Sequence, residues 1–429
     1  MTARLLHEPG PGLGFVDVVA AFTPGSETDP AGLEGVAQLT MRLVRAGPKG
    51  RTRAEVDAEV ERLGAHLEAG VGQHRCMVRG RVLRENLEPF ARLLAEIVTE
   101  PALRADDFER AKRLLAAELV SVRDDDQGLA ARAFRRSLFR GNAAGRPSSG
   151  TVASVGRITL DDCAAWYRAS LAADRLIVGV AGDLTEEEGR RLVAGPLGAL
   201  PVTSAKPPHV EPPAAPKGRR ALLVDKPDRT QTQILLGHLG PRPARPDHMG
   251  MLVSSVAFGG TFSGRMMQEV RVKRGWSYGA YSRLTRSRHD DAWYLWTFPA
   301  AKDAGPCLAL QFEMLEALAR DGVTQEELDF AKGYLVGSSV FHVDTPADRL
   351  ERRLEVETLG FPHDYWTGFR KRVEAVGLAE AHRATGPNVH PADLVVAVLG
   401  TVSEIEKPIR EALGPGAVVE TVAFDDADL

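Results

Sequence analysis

The chain has 429 residues, 44% of them apolar, which at about 150 residues per domain is enough for two or three cores and excludes a peptide-sized or disordered protein. Lys and Arg number 54 against 58 Asp and Glu, a formal net charge of -4 with no dense basic run, so nucleic acid is not an expected partner. Three cysteines, at 76, 163 and 307, are too few and too dispersed for a disulfide framework or a cysteine-rich zinc site.

The opening residues, MTARLLHEPGPGLGF, lack the basic start and long apolar core of a secretory signal, and no run of about 18 apolar residues occurs. We therefore expect a cytoplasmic chain without a membrane span, or a periplasmic one if a signal peptide has been removed. Phe15 to Phe22 (FVDVVAAF) reads as a strand ending in the turn Thr23-Pro24-Gly25-Ser26, and Leu33 to Val44 has apolar residues at helical spacing. Val71 to Leu83 alternates as a strand that turns back. Glu55 to Leu63 and Leu87 to Val98 are amphipathic helices, the second opening after Asn86 as a cap. Asp106 to Val122 is a long helix, and Arg123-Asp124-Asp125-Asp126 after it reads as a solvated end, because successive carboxylates cannot converge on one cation. Thr159 to Ser170 is another helix, followed by an apolar strand from Leu176.

Six of the 27 prolines fall between Pro201 and Pro216, where fixed φ and missing donors favour an extended linker over a core. The division is an N-terminal domain over 1–200, a linker over 201–218 and a C-terminal domain over 219–429. Two stretches repeat across it at nearly one offset. Asp107-Phe108-Glu109-Arg110-Ala111-Lys112 returns in outline as Glu327-Leu328-Asp329-Phe330-Ala331-Lys332, and Leu176-Ile177-Val178-Gly179-Val180-Ala181-Gly182 returns as Leu394-Val395-Val396-Ala397-Val398-Leu399-Gly400. Helices mixed with hairpin-connected strands give an α+β fold, a sandwich of sheet and helices built twice.

Common catalytic signatures are absent. There is no H-E-x-x-H, no phosphate-binding G-x-x-x-x-G-K and no G-x-S-x-G, and no two of the 11 histidines lie three or four apart as a helical zinc pair would. The succession of strand, Thr23-Pro24-Gly25-Ser26, Gly35-Val36-Ala37-Gln38-Leu39-Thr40-Met41-Arg42 and a helix ending at Glu118 nevertheless resembles the pitrilysin or insulinase family of zinc peptidases, whose signature is H-x-x-E-H. Leu138-Phe139 through Gly150, and Gly259-Gly260-Thr261-Phe262-Ser263-Gly264-Arg265 through Gly275, extend the resemblance over nearly the whole chain. The family's short members have two similar halves, and the resemblance implies a clamshell arrangement.

In active members the two histidines and the general-base glutamate stand where this sequence has Gln38, Arg42 and Met41, and the third ligand corresponds to Glu118. A glutamine amide is a poor zinc ligand, a methionine cannot accept a proton, and an arginine places positive charge where the cation would sit. A companion glutamate seven residues before the third ligand is replaced by Ala111. We expect no metal in this chain and no proteolysis by it alone.

The resemblance also carries an arginine and a tyrosine that reach a substrate from the C-terminal half, here Arg271 and Tyr278 in Arg271-Val272-Lys273-Arg274-Gly275-Trp276-Ser277-Tyr278. A guanidinium and a phenol can both donate hydrogen bonds to a carbonyl oxygen that gains charge. Taken alone, the two would be a surface salt-bridge residue and a half-buried strand residue. Trp293-Tyr294-Leu295-Trp296-Thr297-Phe298 alternates as a strand and reads as sheet core, with the lining of a chamber as the alternative. The resemblance thus implies a non-catalytic subunit of a heterodimeric zinc metallopeptidase, its homologous partner carrying H-x-x-E-H and zinc, with a peptide substrate held as an added strand. A proteolytically inactive structural or peptide-binding module of the same fold is the alternative, as in the core subunits of a respiratory complex. A homodimer with unfamiliar metal ligands is a third reading.

Overall fold

Residues 4–202 and 209–429 are described in the computed structural model. The first half runs through β1 (Arg4–Pro9), β2 (Phe15–Phe22), α1 (Val36–Ala46), α2 (Arg53–Arg62), β3 (His66–Val71), β4 (Cys76–Leu83), α3 (Leu87–Thr99), α4 (Ala105–Ser121), α5 (Asp126–Leu138), α6 (Val152–Arg157), α7 (Leu160–Ser170), β5 (Leu176–Gly182) and α8 (Glu186–Ala194). The second comprises β6 (Arg220–Asp225), β7 (Gln233–Gly240), α9 (His248–Gly259), α10 (Arg265–Met267), β8 (Ala280–Leu284), β9 (Asp291–Thr297), α11 (Ala304–Asp321), α12 (Gln325–Ser339), α13 (Pro346–Leu359), α14 (Phe369–Ala375), α15 (Leu378–Asn388), β10 (Val395–Gly400), α16 (Val402–Leu413) and β11 (Val418–Ala423). Part of the expected linker, 203–208, lies outside the described residues, and 209–217 carries neither helix nor strand.

The strands form two mixed sheets, ordered β1-β5-β2-β4-β3 and β11-β6-β10-β7-β9-β8. Apart from β11, which adds parallel to β6, the second sheet repeats the connectivity of the first, including a parallel first pair, β1 with β5 and β6 with β10. One face of each sheet packs on its own half's helices. Phe22, Val78 and Val180 meet Leu39, Leu94 and Leu115 in the first core, and Leu236, Trp293 and Val398 meet Phe258, Leu315 and Ile405 in the second.

The opposite faces are covered by exchange. Helix α5, from the first half, lays Leu129, Ala130, Ala133, Phe134 and Leu138 on Leu222, Leu235, Ala397 and Leu399 of the second sheet. Helix α13, from the second half, returns the arrangement by setting Leu350 and Leu354 on Leu6, Val19, Ala21 and Ala181 of the first. At roughly 1.5–3 kcal/mol for each large apolar side chain, burial of Leu129, Phe134 and Leu138 offers about 5–9 kcal/mol before ordering entropy is subtracted. The exchange explains the strand patterns. Strands β5 and β10 are apolar on both faces because helices lie on both, whereas β4 carries Arg79 and Arg81 on alternate exposed positions, where they line an open pocket with Leu350 and Glu351 of α13.

Several local readings shift. The first long helix starts at Val36 and not Leu33, because Gly35 takes φ +96°, a left-handed value that breaks the helical run. Asn86 does not cap α3 with its side chain; its Nδ2 donates to the Leu63 carbonyl at 3.0 Å. The acidic run at 124–126 is more than a solvated end. Asp125 caps α5 by accepting from the Gly128 N–H at 3.0 Å, and Asp126 pairs with buried Lys226 of the second half.

Candidate functional site

Helix α1 carries three of the four positions singled out in the first half. Its start is fixed by Asp29, whose carboxylate accepts from the N–H groups of Gly35 (2.8 Å) and Ala37 (3.3 Å). Burial pushes the Asp29 carboxyl up to about 7, against the opposing pull of those two N–H groups and the Arg146 guanidinium. Gln38 and Arg42, four residues apart, share the partly exposed face of α1, and α4 brings Glu118 against it. Arg42 donates to both oxygens of Glu118, at 3.0 and 2.5 Å. Met41 is fully buried in the first core.

This arrangement does not fit zinc. The only carboxylate of the four positions is engaged by a guanidinium, and the side chain at the general-base position is a thioether sealed in the core. Among the described residues no group of three His, Cys, Asp or Glu is placed to hold a metal ion. All three cysteines are buried and unpaired, with thiols pushed up by burial.

Arg271 and Tyr278 come together on the other half. Helix α10 continues into a stretch of π-helix, Gln268–Val272, that carries Arg271. The chain then leaves through Gly275 at φ +66°, where an added Cβ would meet no neighbour, so the left-handed backbone alone calls for glycine. Ser277 fastens the following loop, its Oγ donating to the Gly279 carbonyl at 2.7 Å and accepting from Phe298 N–H at 3.0 Å. As a result the Arg271 guanidinium lies 4.3 Å from the Tyr278 ring centroid and 6.0 Å from that of Phe262. Tyr278 is 69% exposed and precedes β8, so it is neither half-buried nor in a strand. Arg271 makes no ion pair within 4.0 Å among the described residues.

The aromatic run of β9 divides by strand alternation. Trp293 faces the helical core, its Nε1 donating to Ser255 and Ser282 at 2.9 and 3.0 Å. Trp296 lies on the opposite face, stacked on Tyr281 at 5.3 Å, and Phe262 meets Tyr281 edge-on at 6.4 Å. Both faces of the strand are therefore packed, Trp293 on the helices of its own half and Trp296 beside the layer that α5 covers. Strands β3 and β8 end their sheets, leaving backbone donors and acceptors unpaired by a further strand.

A third grouping escapes sequence reasoning. His74 Nδ1 lies 2.7 Å from Glu27 Oε2, and its Nε2 lies 2.6 Å from Ser287 Oγ of the second half. The order Ser, His, Glu resembles a nucleophile relay, but all three are buried and the adjoining cavity is about 10 Å³, too small for a substrate. The trio joins the halves. Its members stand 47 and 213 residues apart, and no local spacing signals their meeting.

Comparison with known proteins adds a family. Residues 15–152 match the sequence model described as insulinase (peptidase family M16), and residues 157–335 match that of the peptidase M16 inactive domain. An uncharacterized zinc protease of Mycobacterium tuberculosis is 27% identical over 358 residues, 81% of this chain and 80% of that one. The non-peptidase homolog YmxG of Helicobacter pylori is 23% identical over 390 residues, 90% and 89% of the two chains. Among solved structures, a peptidase M16 inactive domain from Pseudomonas fluorescens superposes with a TM-score of 0.86 at 26% identity, covering 93% of this chain and 95% of the other. Among the described residues no helix is long and apolar enough to cross a membrane.

Proposed function

Because this chain belongs to the insulinase (M16) peptidase family, we propose that it is the non-catalytic subunit of a heterodimeric zinc metallopeptidase. The observation that carries this reading is a contrast between its halves. The metal position of the first is closed by the Arg42–Glu118 ion pair, while the second presents a half-buried Arg271 beside an exposed Tyr278, with no carboxylate partner for Arg271 among the described residues. A purely structural subunit has no use for the second arrangement.

In this reading a homologous partner carries H-x-x-E-H and zinc, and the present chain forms the facing wall of a clamshell. Its duplicated domains, 1–200 and 219–429 about the 201–218 linker, are supported by the repeated strand order of the two sheets. A peptide lies extended along an open strand edge, where its backbone groups are satisfied with little demand on sequence. Arg271 and Tyr278 then donate to a peptide carbonyl, holding its oxygen as charge develops there. The Arg271–Tyr278 stacking fixes both donors in one orientation before substrate arrives, which lowers the ordering cost at binding. A cytoplasmic location goes with this reading.

The second reading is a proteolytically inactive structural or peptide-binding module. It is favoured by the likeness to a relative named a non-peptidase homolog. Co-expression with a homologous H-x-x-E-H chain separates the two. We expect the pair to cleave peptides, each chain alone to be inactive, and Tyr278→Phe in this chain to lower turnover about 10²-fold, the effect of one lost oxyanion donor. Turnover unchanged by Tyr278→Phe would remove the tyrosine from the reaction, and an inactive pair would favour the second reading.

A further inference from the structure

On a chain of net charge -4, a pocket of about 450 Å³ gathers five arginines and only two acidic side chains, Glu34 and Asp428. Arg132, Arg135 and Arg136 come from the side of α5 turned away from the second sheet, Arg146 from the loop that follows, and Arg157 from the end of α6. Two of the five are balanced, Arg135 by Asp291 at 3.1 Å and Arg146 by Glu34 at 3.6 Å.

The other three have no acidic side chain within hydrogen-bonding distance. Arg132 donates to Ser149 Oγ at 2.8 Å and approaches the main-chain oxygen of Leu429 at 3.5 Å. Arg136 donates to the Asp428 carbonyl at 3.3 Å, and Arg157 to the Gly32 carbonyl at 3.1 Å. Even a carboxylate at Leu429 would leave positive charge in excess. Each guanidinium has five donors in a rigid fork, so most of their capacity is unused. Burial pulls Arg132 below the usual arginine value, as expected of a cation without a close acidic side chain. Three such charges around one partly enclosed space repel one another, and an anion bound among them would relieve that repulsion.

We propose that this pocket is a binding site for a small oligophosphate anion. A single carboxylate is planar and takes a guanidinium fork in one plane. Tetrahedral phosphate oxygens point in several directions, matching arginines that approach from α5, the following loop and α6. The site involves neither Arg42–Glu118 nor Arg271–Tyr278, so it does not rest on the peptidase reading.

The test is isothermal titration calorimetry of the full chain with inorganic tripolyphosphate, and with citrate as the carboxylate probe, at about 0.1 M salt. One tripolyphosphate should bind per chain, and citrate at least tenfold more weakly. The double variant Arg136→Gln, Arg157→Gln removes two exposed arginines and should weaken tripolyphosphate about 10²-fold, tenfold for each lost charge-assisted contact. A control, Arg113→Gln with Arg168→Gln, makes the same change in net charge on helices elsewhere and should keep the affinity. Absence of saturable binding, equal affinity for citrate, equal affinity in the double variant, or equal loss in the control would each overturn the proposal. A ligand-free thermal melt of each variant separates loss of the site from loss of the fold.

Discussion

Replacing Asp29 with asparagine should change how stability depends on pH. In the unfolded chain this carboxyl ionises near its ordinary value of 3.8, whereas in the folded protein burial holds it up to about 7. Below about pH 4 both states are protonated and the group contributes fully to stability. As pH rises toward 7 the unfolded chain releases its proton first, so stability falls by about 1.4 kcal/mol per pH unit. The loss totals roughly 4 kcal/mol and ends above the folded-state value. Asp29→Asn keeps an oxygen to accept from the start of α1 but cannot ionise, so its contribution is flat. Urea unfolding of both proteins at pH 4.5, 6 and 7.5 gives the difference, in which slopes from all other carboxylates cancel. We expect the stability of the Asp29→Asn variant relative to the parent to rise by roughly 3–4 kcal/mol across that window. Parallel profiles would refute the reasoning, and with it the account of Asp29 as a buried cap for α1.

Three further outcomes can be checked by thermal or urea melts. Phe134→Ala, in the seam between α5 and the second sheet, should cost about 3–5 kcal/mol, because it empties space in a fully packed layer; a cost under about 1 kcal/mol would contradict the exchange of helices. Arg42→Ala should cost less than about 1 kcal/mol, since Glu118 is 58% exposed and water replaces much of the pair. Gly275→Ala should cost about 1–2 kcal/mol from its left-handed backbone, and in the co-expressed pair it should lower turnover further than stability alone explains by loosening Arg271 against Tyr278.

The parts of the fold that can be read from the sequence are those whose patterns are local. Strand β5 is legible because its run from Leu176 to Gly182 is apolar throughout, and α4 because its apolar positions recur at helical spacing. The partner of a surface is not local, and there the sequence falls short. Helix α5 is absent from the expected elements although Leu129, Ala133, Phe134 and Leu138 follow a capping Asp125, and even a correct helix would not reveal that its apolar face belongs to the other half's sheet. Of the site residues, Arg42 and Glu118 are found by their separation of 76, but that spacing does not show that they bond to each other. Nor does it anticipate Phe262 beside Arg271, since the loop closure that unites them depends on the π-helical stretch and Gly275.

The exchange of α5 and α13 bears on how such a molecule can move. Each half uses the other as the lid of its own sheet, so prising them apart would expose Leu222, Leu235 and Leu399 on one side and Leu6 and Ala181 on the other. Exposing that much oil to water on every working cycle would cost far more than thermal fluctuation supplies. The two halves are therefore locked as a single jaw, and in the proposed heterodimer a peptide would be admitted by motion between separate chains, with the pivot outside this one.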